Sequence, residues 1–197
     1  MKHHLLPAIA LITLLFACGE APTVDTEATK AADTAPTPAD RIERGRYLVE
    51  ITGCNDCHSP KIMGPQGPMP DPARLLSGHP GTADLPPVPV DHAGWAMFNM
   101  DLTASVGPWG TSFAANLTSD GSGIGNWTEE QFIRALTKGL YKGIEGSRPL
   151  LPPMPWQNYR NMDTEDVKAI YAYLKSTTPV SNVPPVPIPP PAPGKPS

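Results

Sequence analysis

Two cysteines three residues apart, followed at once by a histidine, stand at Cys54-Asn55-Asp56-Cys57-His58. No other feature constrains the fold of this chain as strongly. The Cys-x-x-Cys-His spacing is that of a c-type haem attachment site. Each thiol can add across one haem vinyl group, and two thioether bonds then fix the macrocycle to the backbone. His58 follows directly, which holds its imidazole over the iron as the proximal ligand. A fold built on this motif has one main task, to bury the ring and leave an edge of it accessible.

The third cysteine, Cys18, closes an N-terminal apolar run. Residues 1–17 read as an export signal, with Lys2 as the positive start and Leu5 to Ala17 as the apolar stretch. Pro7 interrupts that stretch, and it is too short for an ordinary membrane span. Its end, Leu15-Phe16-Ala17-Cys18-Gly19, resembles a bacterial lipobox. Cys18 is then the lipid attachment residue, because a free exposed thiol is a liability in an exported protein. Acyl chains on that residue would anchor the chain to a membrane without a spanning helix. The alternative is an ordinary secretory signal with a spare cysteine.

Composition shifts divide the rest. Residues 18–39 are rich in Ala, Thr, Pro, Asp and Glu and lack aromatics, which reads as a flexible tether. Residues 40–178 form one domain of a size suited to a single core. Residues 179–197 are rich in proline and favour polyproline II; they read first as a disordered end, and otherwise as a partner ligand or a segment spread over the surface. The formal charge is −4, and loss of Lys2 with the signal leaves −5. With no basic stripe, nucleic acid is not expected as a partner. A mildly acidic surface reads first as an aid to solubility, and otherwise as suited to transient docking to a basic redox protein.

Three helices are predicted within the domain. The first spans residues 40–53, capped by Asp40, with Gly45 in its middle at a cost that a close helix contact would offset. The second runs over residues 129–138, with Thr128 and Gln131 as a capping box and Trp127 stapled to Phe132. Gly139 ends it. The third covers residues 164–176, capped by Asp163 and stapled through Met162 and Val167. No segment predicts a sheet. Residues 59–112 are rich in Gly and Pro without long periodicity and read as an irregular insertion, with a short helical turn within residues 94–102.

A second axial ligand is expected from Met154, in Leu150-Leu151-Pro152-Pro153-Met154-Pro155-Trp156. Flanking prolines fix backbone φ in a loop that must present one thioether. A thioether favours Fe(II) and raises the potential. Met162 is a rival, though its staple explains it. His79 and His92 would give bis-histidine ligation and are otherwise surface histidines. Met63, Met69, Met97 and Met100 read as packing residues.

The motifs Gly45-Arg46-Tyr47-Leu48, Cys54 to His58, Asn116-Leu117-Thr118, Gly123 to Phe132, Pro152 to Trp156 and Asp166 to Leu174 occur in that order. Together they resemble a bacterial mono-haem cytochrome c of class I, similar to the cytochrome domains that accompany periplasmic dehydrogenases. The resemblance implies an all-α fold of about three main helices around one covalent haem c. It further implies that the first and last helices cross near Gly45 against Tyr171 or Tyr173, and that Met154 is the distal ligand. Residues 59–112 depart from the smallest members by their length. Arg148 is a candidate for a haem propionate, since its fork suits a carboxylate. Trp127 is a candidate for the ring edge. Asn116 and Thr118 are candidates for hydrogen bonds near the propionates.

The expected function is one-electron transfer at a membrane surface on the periplasmic side, with transient docking to redox partners and no catalytic residue. A haem enzyme or ligand sensor with an open distal face is the second reading. A structural zinc module using Cys54, Cys57, His58 and His79 or His92 is the third.

Overall fold

The computed structural model describes residues 35–87 and 94–191. The signal at residues 1–17, Cys18, most of the tether, His92 and the last six residues of the proline-rich tail lie outside the described residues. Five α-helices are present among the described residues, α1 (Pro38–Ile51), α2 (Cys54–His58), α3 (Glu129–Lys138), α4 (Trp156–Tyr159) and α5 (Thr164–Ser176), with a short 3-10 helix at Tyr141–Gly143. Five strands accompany them: β1 (Lys61–Gly64), β2 (Gly67–Pro70), β3 (Met97–Phe98), β4 (Ala104–Gly107) and β5 (Gly110–Phe113).

Helix α1 begins two residues before its predicted start. Thr37 is the cap; its hydroxyl accepts from the Asp40 amide, and the Asp40 carboxylate accepts from the Thr37 amide. Asp40 therefore closes a capping box from inside the helix, and Pro38 occupies the first turn, where its missing N–H costs nothing. Helix α3 has the expected bounds and box, with Thr128 and Gln131 bonded reciprocally and Gly139 in the left-handed conformation after it. Helix α5 also has its expected bounds, but Asp163 stands at the cap position without a side-chain hydrogen bond.

The core sits where α1, α3 and α5 meet. Leu48 and Val49 from α1, Phe132 from α3, and Val167, Ile170 and Leu174 from α5 are buried together with Ile124. Each such side chain contributes about 1.5–3 kcal/mol. Helices α1 and α5 cross at Gly45, where a Cβ would fall inside the Ala169 carbonyl and 2.8 Å from Tyr173 Cβ. The crossing partner is thus Tyr173, while Tyr171 stacks on Phe132 at 5.6 Å and donates its hydroxyl to the Trp127 carbonyl. Arg44 grips Asp166 through two 2.8 Å bonds across the same crossing. That pair is part-exposed, so solvent screens most of its attraction and it aligns the crossing more than it stabilises it.

The chain is not all-α. Strands β1 and β2 form an antiparallel hairpin, and β3, β4 and β5 form a second antiparallel sheet in that order. All are four residues or fewer, too short to show a period of two, and every four-residue strand contains Gly. The hairpins turn at Gly64-Pro65-Gln66-Gly67 and Gly107-Pro108-Trp109-Gly110, with Gly67 at φ 113° and Gly110 at φ 90°. Proline at the second turn position and glycine at the fourth suit a tight reversal. The helical turn expected within residues 94–102 is replaced by β3, which pairs Met97 with Val106 and Phe98 with Ser105.

Burial also revises the histidine and methionine readings. His79 is 1% exposed rather than on the surface; its Nδ1 is 2.8 Å from Thr103 Oγ1, and its Nε2 has no partner. Met63 and Met100 are 77% and 82% exposed and are not packing residues. Among the described residues the insertion thus consists of antiparallel strand pairs with an unusual share of buried polar side chains, among them Ser59, Ser77, His79, Thr103 and Ser105.

Residues 178–191 form a strap along the domain. The Val180 carbonyl accepts from Asn116 Nδ2 at 2.8 Å, and Ile188 pairs with Thr111 as an antiparallel bridge. Asn182 makes the most of this run. Its Nδ2 donates to the carbonyls of Ser77 (2.7 Å) and His79 (2.8 Å), and its Oδ1 accepts from the Gly81 amide at 2.9 Å.

Two substitutions test this account. Gly45→Ala is expected to destabilise by about 3 kcal/mol, the upper range of overpacking penalties, because backbone lies in the way. Thermal unfolding should show a melting temperature lower by roughly 10 °C. Asn182→Ala strips two buried carbonyls of their donors and should cost about 2 kcal/mol. A urea midpoint equal to that of the unaltered chain would show the strap to be idle.

Candidate functional site

The site starts at the junction of α1 and α2. Gly53 adopts φ 69° and ψ 27°, which reverses the chain so that α2 opens on Cys54. A Cβ there would meet the Asp56 carboxylate at 2.7 Å. Cys54 and Cys57 are three apart in a helix and so lie on one face. Both are free, part-buried thiols. Burial pushes each of them up, which keeps them protonated at neutral pH. The Thr52 hydroxyl donates to the Leu48 carbonyl at 2.7 Å and lies 3.4 Å from Cys54 Sγ, closing the end of α1 against the first thiol.

His58 ends the same helix. Its Nδ1 lies 2.7 Å from the Ala115 carbonyl. A carbonyl only accepts, so Nδ1 carries the proton and Nε2 keeps its lone pair. Burial lowers the pKa of His58, which keeps the ring neutral. A neutral imidazole oriented through Nδ1 is the form that ligates a metal. The turn behind it is secured from the insertion: Gly78 donates to the His58 carbonyl at 2.7 Å, and Leu76 donates to Ser59 Oγ at 2.8 Å. These residues fit a haem: two thiols on one helix face and a free imidazole nitrogen beside them.

Met154 lies part-buried in the loop before α4. The loop is held at both ends. Leu150 donates to the Gly139 carbonyl at 2.7 Å, and Ser112 Oγ donates to the Pro152 carbonyl at 2.6 Å. Trp156 then packs its ring over Gly139, where a Cβ would clash with it. Three residues on, Tyr159 reaches back and donates to the Thr52 carbonyl at 3.4 Å. Burial, and then Cys54 and Cys57, push its hydroxyl up. The loop that carries Met154 is therefore tied to the start of the attachment helix.

The remaining candidates separate. Trp127 is part-buried against the core. Arg148 is exposed, lies 4.0 Å from the centre of the Tyr141 ring and donates to the Pro149 carbonyl at 2.9 Å. Asn116 and Thr118 are buried, and their hydrogen bonds are made within the protein. Asn116 Oδ1 accepts from the Thr118 amide (2.9 Å) and hydroxyl (2.8 Å), while Nδ2 serves the strap and Ser122. They brace the loop beside Ala115. His79 spends its Nδ1 on Thr103 Oγ1 at 2.8 Å, and among the described residues no group of three or more His, Cys, Asp or Glu is placed to hold a metal ion.

Three contributors carry no sequence signal of this kind: the Ala115 carbonyl, Ser112 and Tyr159. A main-chain oxygen looks the same at every residue, and the other two sit in unremarkable local contexts.

No family model matches the chain. Several curated proteins do. The fructose dehydrogenase cytochrome subunit of Gluconobacter japonicus is 32% identical over 174 residues, 86% of this chain and 27% of that protein. The cytochrome c subunit of the alcohol dehydrogenase (quinone) of Gluconacetobacter polyoxogenes is 37% identical over 147 residues, 74% of this chain and 24% of that protein. The gluconate 2-dehydrogenase cytochrome c subunit of Pantoea cypripedii is 28% identical over 134 residues, 68% and 22% of the two chains. The chain spans about a quarter of the length of these relatives. With the attachment motif on a helix and its histidine oriented for ligation, this likeness makes the chain a cytochrome c homologous to the cytochrome subunits of dehydrogenases, with haem c as its covalent cofactor.

Proposed function

We propose that the chain is a one-electron carrier with a single haem c, attached through Cys54 and Cys57 and ligated by His58 and Met154. One observation carries the reading: the bond from His58 Nδ1 to the Ala115 carbonyl, which leaves Nε2 free beside two free thiols. When bound, the haem supplies the Fe(III)/Fe(II) couple. The protein residues do the rest. Cys54 and Cys57 hold the ring, Ala115 orients the imidazole, and the fixed ends of the Leu150–Trp156 loop limit the motion of Met154. Held ligands lower the reorganisation that each electron transfer requires.

The partner in this proposal is a dehydrogenase, as the relatives' names suggest, or a membrane oxidase that takes the electron onward. Export, with lipid on Cys18 and residues 18–39 as a tether, would confine the carrier to a membrane surface on the periplasmic side and raise its local concentration. Docking is transient and involves no catalytic residue of this chain. Trp127 and Arg148 are the side chains offered to the ring edge and a propionate. Either would leave its present contacts, with the core for Trp127 and with Tyr141 for Arg148, only in part.

Met154→Ala should keep covalent haem and lose the weak far-red absorption of an Fe(III)–sulfur bond, with rapid uptake of CO by the reduced form. The band surviving in the variant would assign the sixth ligand elsewhere. In a denaturing gel stained for haem, Cys54→Ser with Cys57→Ser should abolish the signal entirely, whereas each single variant keeps a reduced fraction. Full staining of the double variant would place the attachment outside this helix.

A further inference from the structure

Lys61 is the first residue of β1, three residues beyond His58. Its ammonium is surrounded by main-chain oxygens. Nζ lies 2.8 Å from the Asp56 carbonyl, 3.3 Å from that of Asn55, 2.5 Å from that of Ser59 and 3.2 Å from that of Asp101. Asn55 and Asp56 are the two residues between the attachment cysteines. Ser59 follows the histidine. Asp101 belongs to the turn between β3 and β4, some forty residues away in sequence.

The short helix α2 ends with carbonyls that have no helical partner. A cation is favoured at that end, both as a donor and against the helix dipole. An ammonium has three protons, so four carbonyls use its donor capacity fully. Among the described residues Lys61 makes no close ion pair; its direct partners are carbonyl dipoles, and the Asp101 and Asp56 carboxylates act on it only from beyond contact distance. The chain thus places a fixed, part-buried positive charge against the backbone of the haem motif, and uses it to join that motif to the insertion.

We infer that Lys61 is a positioning residue for the haem: its ammonium clamps the attachment helix to the Asp101 turn and biases the iron towards Fe(II). The inference rests on haem attachment at Cys54, Cys57 and His58. A nearby positive charge disfavours the more positive redox state, in the way that charges near any titrating centre shift its equilibrium. The effect expected on removing it is about tenfold in the Fe(III)/Fe(II) equilibrium, which for one electron is about 59 mV.

The test uses the full chain, expressed with the machinery for haem attachment, and three variants. Lys61→Met keeps most of the stem, Lys61→Gln keeps a neutral N–H donor, and Lys61→Arg keeps the charge. Haem content and the midpoint potential are measured for each. The expected result is a potential lowered by about 59 mV in the Met and Gln variants and returned towards the parent value in Arg. Neutral variants that fail to acquire haem while Arg acquires it also support a cation-dependent clamp. Neutral variants with haem and an unchanged potential overturn the inference. So does loss of haem in all three, which would mean that only the shape of lysine matters. A parent chain without haem defeats the attachment reading itself, and is told apart by the haem stain before any potential is taken.

Discussion

The hydrogen bond between His58 Nδ1 and the Ala115 carbonyl joins two parts of the chain separated by 57 positions, and most of the structure is arranged to hold its two ends. On one side, α1 presents α2 at a fixed angle through Gly53. On the other, the backbone from Ala114 to Thr118 serves as a hub. Ala114 accepts from the His79 amide at 2.9 Å, Leu117 donates to the Leu76 carbonyl at 2.8 Å, and Asn116 takes the strap. Any shift of this segment would turn the imidazole. A ligand nitrogen needs orientation as much as presence, which is why so many bonds converge on a stretch of five residues.

The insertion explains the rest of that convergence. Its first residues, from Ser59 to Gly78, close around the back of the haem motif through Ser59 Oγ and the Gly78 amide. Its last strand, β5, runs directly into the hub. Between these, Ser112 on β5 reaches the Met154 loop. One irregular stretch therefore supports both the histidine and the methionine loops. Leu76 shows how strongly it is constrained. It is buried at φ 60°, a conformation that costs a non-glycine residue about 1 kcal/mol or more. Bonds at both its amide and its carbonyl hold it there.

Sequence reading succeeded where the signal was local. The bounds of α3 and α5 followed from a capping box, a stop glycine and helical spacing, all of which act within a few residues. The cap of α1 was misplaced by three residues because Asp40 serves the box from its inner end, and Thr37 was hidden among the residues of the tether. The hairpins were missed because strands this short have no detectable period. Their one local sign, Gly-Pro-x-Gly used twice, lies in the turns. His79 was read as a surface residue because its burial depends on Thr103, Phe113 and the strap, none of them near it in sequence.

The amino-acid sequence by itself determined the chemistry: two thiols and an imidazole at haem spacing, a proline-flanked methionine, and three helices whose apolar faces require one another. Those properties are local, set by residue type and by contacts within a turn or two. Only the tertiary structure decided which oxygen orients His58, that Asn116 and Thr118 brace a strap, and that Lys61 sits among the carbonyls of the attachment helix. Each of these is a contact between backbone or polar atoms brought together across the chain. Main-chain oxygens carry no residue identity, so their pairing exists only once the fold has formed.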